Sequence, residues 1–286
     1  MNIAGIDLVH GAPSSPKIDV RGETLWKRAC RQRKKAAGID GWKPGELARL
    51  PIEWFAAVAR TWNVVLDSNV IPPTWTNVRM IGIPKNDGTT NKRGLGIAHY
   101  VWRLGLSDVI GQHRPWIQSW LNQGIRSGPG RQMDDIIENL MDDLFDAEEN
   151  DENLLGAKID IAKCFDRCDI KRSVRILSRL GAPKQLTDLL LSFYEQLRIW
   201  IEVNGIVAKD HISPARCLLQ GCPGSMLCAI AEMHVWATSV NVLHPQVELA
   251  CYVDDRLLYA PGPDAQECVQ DAVATTLRYD TDAGWE

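Results

Sequence analysis

Two adjacent carboxylates set between two apolar runs restrict this chain more than any other feature. Before them, Val247, Leu249, Cys251 and Val253 alternate with Glu248, Ala250, Tyr252 and Asp254, the period-2 pattern of a half-buried strand. After Asp255, Leu257-Leu258-Tyr259-Ala260 runs into Pro261-Gly262-Pro263, which ends the element. The pattern predicts a hairpin with acids at its tip. Such a tip costs desolvation unless water, a cation or a partner charge meets it. An Asp-Asp pair alone is an ordinary turn, so its meaning depends on a further carboxylate arriving from a neighbouring strand.

Leu154 to Ile161 supplies that carboxylate. Ala157, Ile159 and Ile161 fall on one side of a strand-like run, and Lys158 and Asp160 on the other. Cys164-Phe165-Asp166 follows, and Asp169 is placed to cap a helix with Ile170, Val174, Leu177 and Leu180 on one face. A helix over Leu186 to Leu197 comes next. Then Asn204-Gly205 between Ile199–Val203 and Ile206-Val207 predicts a hairpin. Gln220-Gly221-Cys222-Pro223-Gly224-Ser225 reads as a tight loop entering an apolar helix from about Met226 to Leu243, and Asp264 caps a last helix.

Charge is segregated along the chain. The net charge is −4, yet ten of the 36 acids lie between Asp134 and Glu152 with no base among them. Without those ten, 26 acids face 32 bases, a balance of +6. Lys27, Arg28, Arg31, Arg33, Lys34 and Lys35 form a run that suits either a solvated helix face or phosphate binding. Between residues 71 and 132, eight bases face only Asp87 and Asp108. Within that portion Val78–Lys85 and Arg93–Ile97 read as strands joined by a turn at Asn86-Asp87-Gly88. The acidic stretch has Ile136, Ile137, Leu140, Met141, Leu144 and Phe145 at helical spacing, which predicts an amphipathic helix with a solvated acidic face.

The eight cysteines form no tight paired framework and fit no zinc knuckle, so they read as small buried hydrophobes of a reducing compartment. The N-terminus lacks a basic start followed by an apolar core. The longest uncharged run, Cys217 to Ala231, falls short of the ~20 residues a membrane span needs. A soluble, intracellular protein without a membrane partner is expected.

A carboxylate strand with an aromatic five residues on, a Gln-Gly loop before a helix, and a Tyr-x-Asp-Asp hairpin suit nucleotidyl transfer, where carboxylates from separate strands meet two divalent ions. In this order the motifs resemble a reverse transcriptase, an RNA-directed DNA polymerase of the non-LTR retrotransposon and group II intron type. Gly38-Ile39-Asp40-Gly41 is similar to an early motif of that family, and Ile83-Pro84-Lys85 through Arg93-Gly94-Leu95-Gly96-Ile97 to its fingers motif. Gly124 to Asp135 is similar to its Gly-Phe-Arg-x-Gly-Arg segment, and the last three motifs to its palm. The chain departs from the pattern at Gly94, where the family has Pro, and over the tryptophan-rich Trp102 to Trp120.

The resemblance implies an α+β right-hand polymerase. A lead-in over 1–23, fingers over 24–150 and a palm over 151–286 with an antiparallel sheet backed by helices are expected, with truncation before the thumb. It also implies roles. Asp160 and Asp254 would bind two Mg²⁺ ions, with Mn²⁺ a possible substitute, Asp255 would assist, and the Ile161 carbonyl would complete one shell. Lys85 and Arg93 would hold the incoming triphosphate, Phe165 would reject a 2′-hydroxyl, and Gln220 and Gly221 would position nucleotide and template. The implied partners are an RNA template, a DNA primer and deoxyribonucleoside triphosphates. The alternative is a catalytically silent nucleic-acid-binding remnant of a mobile element.

Overall fold

A computed structural model describes residues 17–85, 88 and 91–285. The lead-in up to residue 16 and most of the turn expected at Asn86-Asp87-Gly88 lie outside the described residues. In chain order the elements are α1 (Gly22–Arg31), α2 (Pro44–Leu47), α3 (Ile52–Ser68), β1 (Asn77–Pro84), β2 (Lys92–Ala98), α4 (Tyr100–Gln112), α5 (Arg114–Trp120) and α6 (Asp134–Glu149). They continue with β3 (Leu154–Ile159), α7 (Cys164–Arg167), α8 (Ile170–Arg179), α9 (Lys184–Glu195), β4 (Arg198–Val203) and β5 (Ile206–Val207). The last are α10 (Pro223–Leu243), β6 (Glu248–Tyr252), β7 (Asp255–Pro261) and α11 (Ala265–Ala283).

The chain forms two compact units that interleave in sequence. One unites residues 17–113 with Asp169–Leu227, the other Arg114–Cys168 with the chain from Cys228 on.

The first unit is built on a sheet in the order β2-β1-β4-β5. β1 and β2 pair antiparallel, as expected for two strands joined by a turn, and β4 joins β1 in parallel, from Asn77↔Arg198 to Ile81↔Glu202. Arg79 and Glu202 form an ion pair across that seam at 2.5 Å. Asn204 and Gly205 both have positive φ, 52° and 81°, the two-residue turn that matches strand twist. The tryptophan-rich departure from the family pattern contributes to this unit's core. Trp102 stacks flat on Phe193 at 4.1 Å and lies 5.4 Å from Trp62, which also stacks on Trp75 at 5.1 Å. Such contacts add to the area these large rings bury. The Asp169 carboxylate caps α8 by accepting from the Lys171 N–H at 2.9 Å, as expected.

The second unit is built on the antiparallel sheet β3-β7-β6, with α11 packed against β3 and β7. Asp264 precedes α11 as expected, but its side chain makes no capping hydrogen bond. Trp236 Nε1 on α10 donates to Thr276 Oγ1 on α11 at 3.0 Å, and the Tyr279 hydroxyl donates to the Glu232 carbonyl at 2.8 Å. All eight cysteines are free, five of them buried.

Two helices differ from expectation. α10 is long and apolar enough to cross a membrane by length and composition, because its apolar character continues past Glu232 to Leu243; most of it is nevertheless buried as a core helix. α6 is amphipathic, but its apolar arc is wider than the surface that covers it. Ala147 is buried, while Ile137 (56% exposed) and Phe145 (58%) face outward with Met141 and Leu144.

Candidate active site

Strand register brings the predicted carboxylates to one end of one sheet. Ile159 pairs with Arg256, so continuing the antiparallel register by one residue sets Asp160 opposite Asp255. Lys158, Asp160 and Asp255 share the open face of this sheet, and Lys158 Nζ meets Asp255 Oδ1 at 3.0 Å. Asp160 and Asp255 are exposed and Asp254 is half-buried in the turn. Ile161 is buried, and its carbonyl accepts from the Cys164 N–H at 3.2 Å with one lone pair left over. Phe165 is half-buried on α7, which starts after Lys163 in a left-handed conformation. Among the described residues no group of three or more His, Cys, Asp or Glu is assembled to hold a metal.

The turn itself is strained. Tyr252 pairs with Asp255, leaving Val253 and Asp254 as a two-residue loop with φ +62° at Val253. Positive φ at the first central position is where such a hairpin prefers glycine, and a β-branched residue there is an outlier. Strain of this kind, about 1–3 kcal/mol, persists only where the surroundings over-determine it. The Cys251 thiol, whose pKa burial pushes up, donates to the Val253 carbonyl at 3.4 Å. Val253→Gly is expected to raise stability by about 1 kcal/mol, the relieved strain less the entropy of glycine, read as an increased urea midpoint; an unchanged or lowered midpoint would show that the turn is not strained.

The opposite face of the hairpin carries a group that sequence reasoning missed. Arg256 is fully buried (0% exposed) and donates twice to Asp280 on α11, at 2.7 and 2.6 Å, with its guanidinium 5.3 Å from the Trp236 ring centroid. A signal was present: Arg256 has the inward parity of Leu258 and Ala260, and a base among core positions requires a partner.

In the first unit, the β1–β2 hairpin carries Lys85 and Arg93, both exposed. Ile83 pairs with Arg93, and the Lys85 N–H donates to the Asn91 carbonyl at 3.1 Å, so the two cations are diagonal neighbours on one face. Like charges so placed repel unless an anion lies between them. The Gln220-Gly221 loop is fastened to the same hairpin, since the Gly96 N–H donates to the Gln220 carbonyl at 3.0 Å. Gly221 has φ +104°, and a Cβ there would come within 3.1 Å of the Gly96 carbonyl oxygen, so a side chain would be strained and crowded. Position 94, where the family has Pro, lies in β2 opposite Gly82. In the early motif, Asp40 accepts from the Tyr100 N–H at 3.2 Å and lies 3.5 Å from His99, while burial lowers the pKa of the imidazole.

Residues 83–282 match the family model described as reverse transcriptase (RNA-dependent DNA polymerase). No curated protein matches. Among solved structures, an apo telomerase from Candida Tropicalis truncated from its C-terminal domain is similar, with a TM-score of 0.54 at 14% identity. The match covers 76% of this chain and 52% of the telomerase chain, so the chain spans about half the length of that protein. At this identity the likeness concerns the fold, which is the mixed α and β right-hand polymerase fold.

Proposed function

As the chain belongs to the reverse transcriptase (RNA-dependent DNA polymerase) family, we propose that it copies an RNA template into DNA for a retroelement of the non-LTR or group II intron kind, by two-metal nucleotidyl transfer. The observation that supports this is the β3–β7 register, whose last pair, Ile159 with Arg256, leaves Asp160 and Asp255 as the next residues on the two strands' ends. Members of the family generally use divalent metals. The donors here are hard carboxylate oxygens, which suit Mg²⁺ and also Mn²⁺. Asp160 and Asp254 would hold the ions, with Asp255 and the Ile161 carbonyl assisting; when bound, the ions lower the pKa of the attacking hydroxyl and offset charge on the leaving pyrophosphate.

The chain's own residues do the rest. Lys85 and Arg93 bind the triphosphate, which relieves their mutual repulsion. Gln220 and Gly221 position the nucleotide and the template base. Lys158 holds Asp255 in place and dampens repulsion among the carboxylates. In this reading fingers over 24–150 deliver the nucleotide and a palm over 151–286 carries the acids.

The test is extension of a DNA primer on an RNA template with deoxyribonucleoside triphosphates and Mg²⁺. Salt-dependent binding of the duplex without extension at any Mg²⁺ or Mn²⁺ concentration would replace this reading with that of a silent nucleic-acid-binding protein.

Phe165 offers a second check. If its ring excludes the 2′-hydroxyl, Phe165→Val should lower discrimination against ribonucleotides by about tenfold or more, or about 1.4 kcal/mol. Unchanged discrimination, measured as the ratio of kcat/KM for the two sugars, would assign Phe165 to packing alone.

A further inference from the structure

The outer edge of β6 is covered by a loop whose shape depends on one guanidinium. The Cys251 N–H donates to the Gly124 carbonyl and the Arg126 N–H donates to the Cys251 carbonyl, both at 2.8 Å, so Ile125 runs parallel to β6. These bonds occupy both backbone groups of the residue before Tyr252. Gly124 is required for the approach, because a Cβ there would come within 2.7 Å of the Leu249 carbonyl oxygen. The loop has no ladder of its own. Instead, Arg131 reaches back into it: Nη1 donates to the carbonyls of Asn122, Ile125 (2.6 Å) and Gln123 (3.2 Å), and Nη2 to that of Leu121 (3.2 Å). Gly124 N–H bonding to Asn122 Oδ1 at 2.9 Å closes the bend.

We infer that Arg131 is a positioning residue for the Tyr252–Asp255 hairpin, acting through the main chain of Leu121–Arg126. The hairpin holds Val253 at φ +62°, and a strained turn keeps its shape only if both strands are held. β7 is held by β3 and by Arg256. β6 is held on its outer side by the Gly124–Arg126 segment, which Arg131 organises. The guanidinium is directed at four backbone carbonyls, so this base of the positive portion acts on protein rather than on phosphate.

The consequence for catalysis rests on the polymerase reading, whereas the clamp itself does not. Hydrogen exchange followed by mass spectrometry or NMR separates them, using the full chain with Arg131→Gln and Arg131→Lys. The expected result is exchange at the Cys251 and Arg126 amides about tenfold faster or more in Arg131→Gln, with β7 amides such as Leu258 unchanged. Arg131→Lys keeps the charge but cannot reach all four carbonyls, so its effect is intermediate. In primer extension, kcat should fall about ten- to a hundredfold, as for a small misplacement of reacting groups, while KM for the nucleotide stays within about twofold. The salt dependence of duplex binding should be unchanged. Wild-type exchange at Cys251, a uniform rise at every amide of the unit, or a salt slope reduced by about one would each overturn the proposal; the last would make Arg131 a phosphate contact. If the wild-type protein extends no primer, the polymerase reading fails alone and the exchange data still decide the clamp.

Discussion

Asp254→Asn is expected to reduce primer extension by about a thousandfold or more while leaving the protein folded. The substitution keeps the side chain's size and one acceptor but removes the negative charge that a divalent ion requires. Metal stabilisation of developing charge contributes several kcal/mol, and each ~1.4 kcal/mol is a factor of ten in rate. Asp254 is half-buried in the turn that precedes Asp255, the first residue of β7, and Asp160 follows the last paired residue of β3. The substitution is isosteric, so the protein should stay folded. Extension at matched enzyme and Mg²⁺ concentration, with a thermal melt on the same samples, measures both. Equal extension by wild type and variant would remove Asp254, and the two-metal reading with it.

Arg256→Met is the second large effect, and it concerns stability. Arg256 and Asp280 are a buried pair joined by two hydrogen bonds, and removing one partner leaves an uncompensated buried charge. Such a break costs about 3–5 kcal/mol, a large part of the ~5–15 kcal/mol that holds a domain together. Asp280→Leu should cost about as much, stranding the guanidinium. The double variant should recover most of the loss, since an apolar pair in that space needs no mutual neutralisation. Urea denaturation of the four proteins gives the coupling directly. Additive losses in the double variant would mean that the two groups do not act as a unit. Because Arg256 immediately follows Asp255, the single variants should also disturb the hairpin.

The legibility of this fold varied with the distance over which the deciding interaction acts. The Asn204-Gly205 hairpin, the β1 and β2 strands and the Asp169 cap depend on neighbours in sequence and appear as the local sequence predicts. The parallel pairing of β4 with β1 does not, since it joins segments some 120 residues apart through a register that neither strand specifies alone. α6 shows the converse: a helical period was legible, but which part of its apolar arc would be covered depended on what packs against it. Arg131 and Arg256 stood in the sequence as bases. Only the fold shows that one holds a loop by its carbonyls and the other lies within the core.

What the sequence determined by itself was the family likeness, because Asp160, the Gln220-Gly221 loop and the Tyr252–Asp255 hairpin carry residue types and local periods that no distant contact has to supply. What only the tertiary structure decided was how the acids are held. Register across β3 and β7 ends at Ile159 with Arg256, next to Asp160 and Asp255, the Asp280 carboxylate allows Arg256 to be buried beneath the turn, and the Gly124–Arg126 segment covers the free edge of β6. Each is a pairing between residues far apart in the chain, and its free energy exists only once both partners have been brought together.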